Sequence, residues 1–463
     1  MSSPTLSFWG AAGTVTGSRF LVETPASRVL VDAGLYQGPH ELRRRNWEPF
    51  AVDATALDGV VLTHAHLDHC GYLPRLVRDG LAAPVLCTSE TADLAAIVLR
   101  DSAHLQEEDA AYANESGYSR HAVAMPLYDG SDVERTLPLL HRVPLHDDVP
   151  LTDDVTVTLH SAGHILGACS ALVDAGGSRV LFSGDLGRPS HPLVPRREDP
   201  PAADVVVVES TYGDRSHPAA SDDPGDSVLA DAIRRTVARG GSVLIPAFAI
   251  DRTELVLLRV GALMTAGVVP TVPVHVDSPM ALKALDVYRR ALADVDPALL
   301  PPGWDGRTFG VPDLRLARTA VESQALNEPR HPCVIISASG MATGGRVVHH
   351  LAHQLPDPRN CVVLTGYQAA GTRGRVLVEG ARQLKMHGRH VPVRAEVVVD
   401  EEFSVHADAD EVLDWLGRCD PAPRTVFVVH GEAEASQALA RRVGDELGWC
   451  AVVPRHGERV RLD

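Results

Sequence analysis

Residues 64–76 read HAHLDHCGYLPRL, and His64, His66, Asp68 and His69 place four metal-ligand types within six positions. Helical spacing would put His64, His66 and His69 on different faces. A strand that runs into a tight turn can converge them, and the apolar run DGVVLT stands directly before them. A single histidine at a strand end is ordinarily a capping or packing residue. Four donors this close together point instead to a metal site. Cys70 adjoins the cluster and reads as packing rather than ligation.

Further donors end other apolar runs. Asp32 ends VLVDAG, His164 sits in SAGHILG, Asp185 ends LFSGD, and His430 ends TVFVVHG. Side chains at the ends of neighbouring strands converge on one sheet edge. Five histidines (64, 66, 69, 164, 430) and the carboxylates of Asp68 and Asp185 exceed the three protein ligands that a catalytic zinc usually takes. The surplus predicts two metals that share a carboxylate.

The elements that must position these residues fall into two styles. β-Branched runs over 19–24, 28–34, 58–64, 155–164, 179–185 and 204–210 come close together, as in an antiparallel or mixed sheet. Helical periodicity follows over 90–112, 225–239, 252–266, 279–293, 344–355, 408–418 and 433–446. Between 241 and 366, strands such as GSVLIPAF and NCVVLTGY alternate with helices, a rhythm that predicts a parallel sheet. The Pro- and Asp-rich stretches 213–226 and 296–307 read as linker or loop.

Taken in order, the motifs resemble those of a known family. H-x-H-x-D-H with a downstream GH and GD is similar to the metallo-β-lactamase fold. ESTYGDRSH, PAFAIDRTEL, DSPMA, ISASGMATGGR, LTGYQAAGTRGR, EEFSVHADADE and VVHGE resemble its β-CASP nuclease branch, which includes the endonuclease subunit of the pre-mRNA cleavage and polyadenylation complex and its bacterial and archaeal relatives. The resemblance implies an α/β architecture: an αββα sandwich (1–209 and 389–463) interrupted by an inserted parallel-sheet β-CASP domain (210–388). It implies two Zn²⁺ per chain, one on His64, His66 and His164, the other on Asp68, His69 and His430, with Asp185 bridging. Asp32 would fix the ligand loop rather than bind metal.

The same resemblance implies hydrolysis of phosphodiester bonds in single-stranded RNA, endonucleolytic, with 5′-to-3′ exonucleolytic action as a second mode. Asp68, His406 and Glu209 would be catalytic. His406 would act as general acid, with Glu209 orienting it and favouring its charged form. A histidine at position 430 goes with the RNA enzymes of this branch, where DNA-repair relatives carry valine. Val405 and Asp251 stand where relatives commonly have smaller residues. The Gly-rich stretch 337–346 reads as strand, loop and helix start, and Ser339, Gly340 and Arg346 are candidates for a substrate phosphate, with Arg373 and Arg375 as further cationic contacts.

Bulk properties bound these readings. A chain of 463 residues predicts two or three domains. The net charge of −17 argues against a broad phosphate-tracking surface but leaves room for a local cationic groove around metal ions. The seven cysteines form no C-x-x-C pair, and reduced thiols are expected. No apolar run approaches the roughly 20 residues that span a bilayer, and the N-terminus has no signal-like core, so a cytoplasmic protein off the membrane is expected. The family resemblance admits a homodimer. Three other functions share the ligand set: a hydrolase of small esters, thioesters or lactams, a DNA nuclease, and a non-catalytic scaffold in an RNA-processing assembly. The long insertion speaks against the first, His430 against the second, and the full set of ligands against the third.

Overall fold

In a computed structural model, described for residues 3–117, 123–217, 227–293, 295 and 306–462, the chain divides into two compact units. One comprises Met1–Ser216 with Val405–Asp463, the other His217–Ser404.

The first unit holds two seven-stranded sheets. One runs in the order Arg459–Arg461, Thr5–Phe8, Phe20–Glu23, Arg28–Val31, Gly59–Val61, Val85–Cys87, Leu140–Arg142. The other runs Ala451–Val452, Thr425–Val429, Val205–Glu209, Ser178–Phe182, Cys169–Ala175, Val155–Ser161, Val149–Pro150. Both are mixed, because hairpins make the antiparallel pairs and helical or long-range crossovers make the parallel ones. Period-two alternation decides the layers. Val205, Val207, Phe427 and Val429 join Phe8, Phe20, Val31 and Val61 in a core between the sheets. The alternate set, Val206, Val208, Val426 and Val428, packs on the other face against Val412, Leu413 and Leu416 of the helix Ala409–Leu416 and Leu439 of the helix Ala433–Arg442. Strands apolar on both sides are what two covered faces require. The helix Ser89–Ser116 contacts the outer strand of the first sheet, which gives helix, sheet, sheet and helix layers.

The second unit has a six-stranded, wholly parallel sheet in the order Leu314–Leu316, Val274–Val276, Val334–Ser337, Val243–Pro246, Cys361–Thr365, Glu396–Asp400. The predicted strand–helix alternation is thus present. The strand Glu396–Asp400 pairs with Cys361–Thr365 in this sheet, so the compact division falls at 404/405 where the sequence reading put it at 388/389. The N-terminal division falls at 216/217, inside the stretch read as a linker. Residues 218–226 of that stretch, and 296–305 of the other, lie outside the described residues.

The seven predicted helices are present, with ends shifted by a few residues. Helices of six or seven residues, such as Leu73–Arg78 and Gly130–Thr136, are too short to show a period and escaped the sequence reading. All seven cysteines are free, and all but Cys450 are buried. No helix among the described residues is long and apolar enough to cross a membrane.

Candidate metal centre

Each donor reaches the centre from the end of a strand or from the loop beyond it. His64 and His66 follow the strand Gly59–Val61, and His66 caps a one-turn helix, Leu67–Cys70, that carries Asp68 and His69. The tight turn expected after the strand is therefore partly helical. Gly34 lets this loop approach, since a Cβ there would lie 1.6 Å from the Asp68 carbonyl oxygen. His164 follows Val155–Ser161, Asp185 follows Ser178–Phe182, and His430 follows Thr425–Val429.

Two donor groups result. His64, His66, His164 and Asp185 bring one donor atom each within 4.8 Å of one another, and so do Asp68, His69 and His430. In the first group His64 Nε2 is 3.0 Å from His66 Nδ1, and His164 Nε2 is 3.3 Å from the same atom. Asp185 Oδ2 lies 3.4 Å from His64 Nε2 and 3.6 Å from His164 Nε2. In the second group His69 Nε2 and His430 Nε2 are 3.1 Å apart, and Asp68 Oδ2 is 3.4 Å from His430 Nε2. Asp185 Oδ1 lies 3.3 Å from His69 Nε2. The two oxygens of Asp185 thus face one group each.

These spacings fit zinc. Donors about 2.0–2.1 Å from a tetrahedral ion sit roughly 3.3–3.4 Å from each other. Imidazole with carboxylate is the donor chemistry zinc accepts. Asp185 Oδ1 is moreover buried with no well-formed hydrogen bond among the described residues, His69 Nε2 standing 3.3 Å away, a costly state for a carboxylate oxygen unless something binds it. Burial pushes His64 and His164 well below the usual imidazole pKa and His66 down to about 4, so all three stand neutral with a lone pair to offer. Burial works to raise the Asp185 carboxyl, but the neighbouring imidazoles of His430 and His69 outweigh it and hold the group well below the usual carboxylate range.

Asp32 lies behind the centre rather than in it. Its carboxylate accepts from Thr63 N at 2.8 Å and Thr63 Oγ1 at 2.9 Å, and pairs with His69 Nδ1 at 2.7 Å. This fixes the His69 ring so that Nε2 faces inward. Asp32 (φ 59°) and His430 (φ 49°) both occupy the left-handed region, at a cost of order 1–3 kcal/mol each, which the packed surroundings sustain. Asp32→Ala should weaken zinc binding about 10–100-fold, read by competition with a chromophoric chelator. Unchanged affinity would show that Asp32 serves only the fold.

His406 stands beside the centre, 17% exposed, its ring centroid 4.4 Å from that of His164. Its Nδ1 is 3.2 and 3.3 Å from the two oxygens of Glu209. Glu209 is itself held, accepting from Leu186 N at 2.6 Å and Thr211 Oγ1 at 2.6 Å. Glu209, Asp185 and His430 also place donors within 4.8 Å, yet these bonds occupy the Glu209 oxygens. Thr63 and Thr211 were missed in the sequence. A hydroxyl has no characteristic spacing, and its only signal is its place within two residues of a ligand or acid in LTH and EST. Cys70 is buried and donates to the Ala65 carbonyl at 3.4 Å, in keeping with packing.

The second unit carries Ser339, Gly340 and Arg346. Ser339 Oγ bonds Thr343 Oγ1 at 2.9 Å, and a Cβ on Gly340 would meet Phe248 N at 2.8 Å. Arg346 opens the helix Arg346–Gln354 and pairs with buried Asp277 at 2.6 Å, where Ser323 and His350 also bond. Arg375 pairs with Glu379, and Arg373 donates to the Thr343 carbonyl at 2.8 Å. All three arginines therefore have protein partners.

Three family models match the chain: the metallo-β-lactamase superfamily over 12–228, the Beta-Casp domain over 254–377, and the Zn-dependent metallo-hydrolase RNA specificity domain over 390–454. Among similar proteins, ribonuclease TTHA0252 of Thermus thermophilus is 36% identical over 458 residues, 98% of each chain. An RNase J-like protein of Methanocaldococcus jannaschii is 31% identical over 98% of each chain. Transcription termination factor FttA of the same organism is 29% identical over 99% of this chain and 71% of its own length. A solved structure of a protein of unknown function from Enterococcus faecalis V583 shares the fold, with TM-score 0.54 at 14% identity over 99% of this chain and all of that one.

Proposed function

The chain belongs to the β-CASP branch of the metallo-β-lactamase superfamily, and from that premise we propose that it is a zinc-dependent ribonuclease that hydrolyses phosphodiester bonds of single-stranded RNA in cytoplasmic RNA processing or decay. The observation that carries this reading is the division of the Asp185 carboxylate between two complete donor groups, with the His406–Glu209 pair alongside. The names of the relatives support RNA as the polymer.

His64, His66 and His164 would hold one zinc and Asp68, His69 and His430 the other, with Asp185 shared. Bound there, the ions would lower the pKa of water and neutralise charge on a phosphoryl group. The chain's own residues supply the rest. The phosphorus–oxygen bond to the incoming water forms as the bond to the 3′-oxygen breaks, and the departing oxygen needs a proton. With Nδ1 of His406 turned to Glu209, Nε2 is the ring atom that would hold and deliver that proton. Glu209, fixed by Leu186 N and Thr211, accepts from Nδ1–H and would stabilise the imidazolium, which returns to the Nδ1–H neutral form once the Nε2 proton has left. The products would be a 5′-phosphate and a 3′-hydroxyl. The Ser339–Gly340 loop of the second unit is proposed to contact a substrate phosphate through its backbone N–H groups.

Polymer length tests this reading. Contacts to nucleotides away from the scissile bond can align the phosphodiester, so the rate per bond should rise steeply from dinucleotides to oligomers of about ten. Bis-p-nitrophenyl phosphate should be a poor substrate, and a stable duplex should resist. Equal or better turnover of small esters, thioesters or lactams at matched concentration would overturn the ribonuclease reading.

A further inference from the structure

Among the described residues, one grouping apart from the centre brings metal-binding side chains together: His146, His160 and Glu198, with donor atoms within 4.8 Å of one another. His146 Nε2 lies 3.4 Å from Glu198 Oε1, and His160 Nδ1 lies 3.4 Å from Glu198 Oε2. Both separations exceed the usual 2.7–3.2 Å of an N–H···O bond. Each is close to the roughly 3.3–3.4 Å between neighbouring donors on one zinc, with Glu198 presenting one oxygen to each histidine.

Partly exposed histidine–glutamate pairs are ordinarily weak ion pairs with loose geometry. Here the backbone under each donor is fixed. His160 lies in the strand Val155–Ser161, paired opposite Ser170. The His146 N–H donates to the Leu159 carbonyl at 2.9 Å, with His146 itself in the left-handed region at φ 68°. The Glu198 N–H donates to the Ser161 carbonyl at 2.9 Å, and its own carbonyl accepts from Trp415 Nε1 at 2.9 Å. The His160 atom turned to the cluster is Nδ1, and it reaches Glu198 only at that long distance. The His146 side chain is 59% exposed and that of Glu198 34%, so one side stays open to water.

We propose that His146, His160 and Glu198 bind a third divalent cation of the zinc class, completed by water. The ion ties residues 196–198 to the strand that leads into His164. That segment already presses on the histidine's approach, because a Cβ on Gly163 would lie 2.5 Å from Arg197 N. The third ion is therefore structural, bracing the loop beside the centre from outside.

The test uses the full chain without a histidine tag and Zn²⁺ alone as probe. Wild type and the double variant His146→Ala, Glu198→Gln are equilibrated in the same zinc buffer, freed of unbound metal, and analysed for zinc per chain. The proposal expects wild type to hold one ion more than the variant. Equal content overturns it. Zinc-edge anomalous scattering from crystals of the wild type gives a second reading: a peak among the three side chains supports the site, and its absence at saturating zinc refutes it. Neither readout involves RNA. A failure of the ribonuclease reading would leave the one-ion difference intact, and a failure of the third site would leave RNA cleavage intact.

Discussion

Replacing Asp185 with alanine should reduce the centre from two zinc ions to one at most and slow RNA cleavage on the order of 10⁴-fold or more. Among the described residues, Asp185 is the one side chain whose two oxygens face both donor groups, Oδ2 toward His64 and His164 and Oδ1 toward His69. Without it the His64, His66 and His164 group keeps three imidazoles, enough for one ion. The Asp68, His69 and His430 group keeps three donors but loses the anion that holds the two sites together. Charge stabilisation by two positive centres is then lost, and losing a single positioned donor already costs about 10²–10³-fold in comparable chemistry. The check pairs zinc analysis with RNA cleavage on one preparation, with melting temperature to show that the unit is folded. A variant that keeps both ions and the full rate would remove Asp185 from the bridging role.

His406→Ala should behave differently, keeping both zincs while losing about 10²–10⁴-fold in cleavage. His406 does not complete either donor group. Its Nδ1 faces Glu209, and the nearest oxygen of Asp185 is 4.0 Å away. The loss should shrink for an RNA analogue whose leaving oxygen is replaced by sulfur, because a thiolate departs without protonation. That dependence on the leaving group separates proton delivery from a structural effect. A His406→Ala protein that loses zinc, or that is equally slow on both substrates, would contradict the general-acid role.

Much of this site could be read from the sequence because its donors obey a simple rule. Asp32, His164, Asp185 and His430 each end an apolar β run, and parallel or mixed strands deliver their ends to one edge. The inserted unit was legible from its strand–helix rhythm. What escaped was non-local or too short. In sequence the strand Glu396–Asp400 reads as part of the closing segment, because its pairing with Cys361–Thr365 leaves no local mark. Asp68 and His69 sit on a four-residue helix that no periodicity can reveal. Thr63 and Thr211 work through hydroxyls that look ordinary in a strand. His146, His160 and Glu198 come from three separate segments, and only the folded register of Val155–Ser161 brings them together. The three arginines read as substrate contacts carried no sign of their partners, since Asp277, Glu379 and the Thr343 carbonyl become neighbours only through folding and helix geometry.

The central claim is that two zincs, held through one shared carboxylate, form the centre that cuts RNA. It is tested most directly by adding zinc back to metal-free Glu198→Gln protein, in which the outer site is disabled, and following cleavage of an internally labelled single-stranded RNA at each step. Cleavage should stay near background through the first equivalent, rise with the second to a plateau, and yield 5′-phosphate ends. Full activity at one equivalent, or none at two with both ions bound, would contradict it.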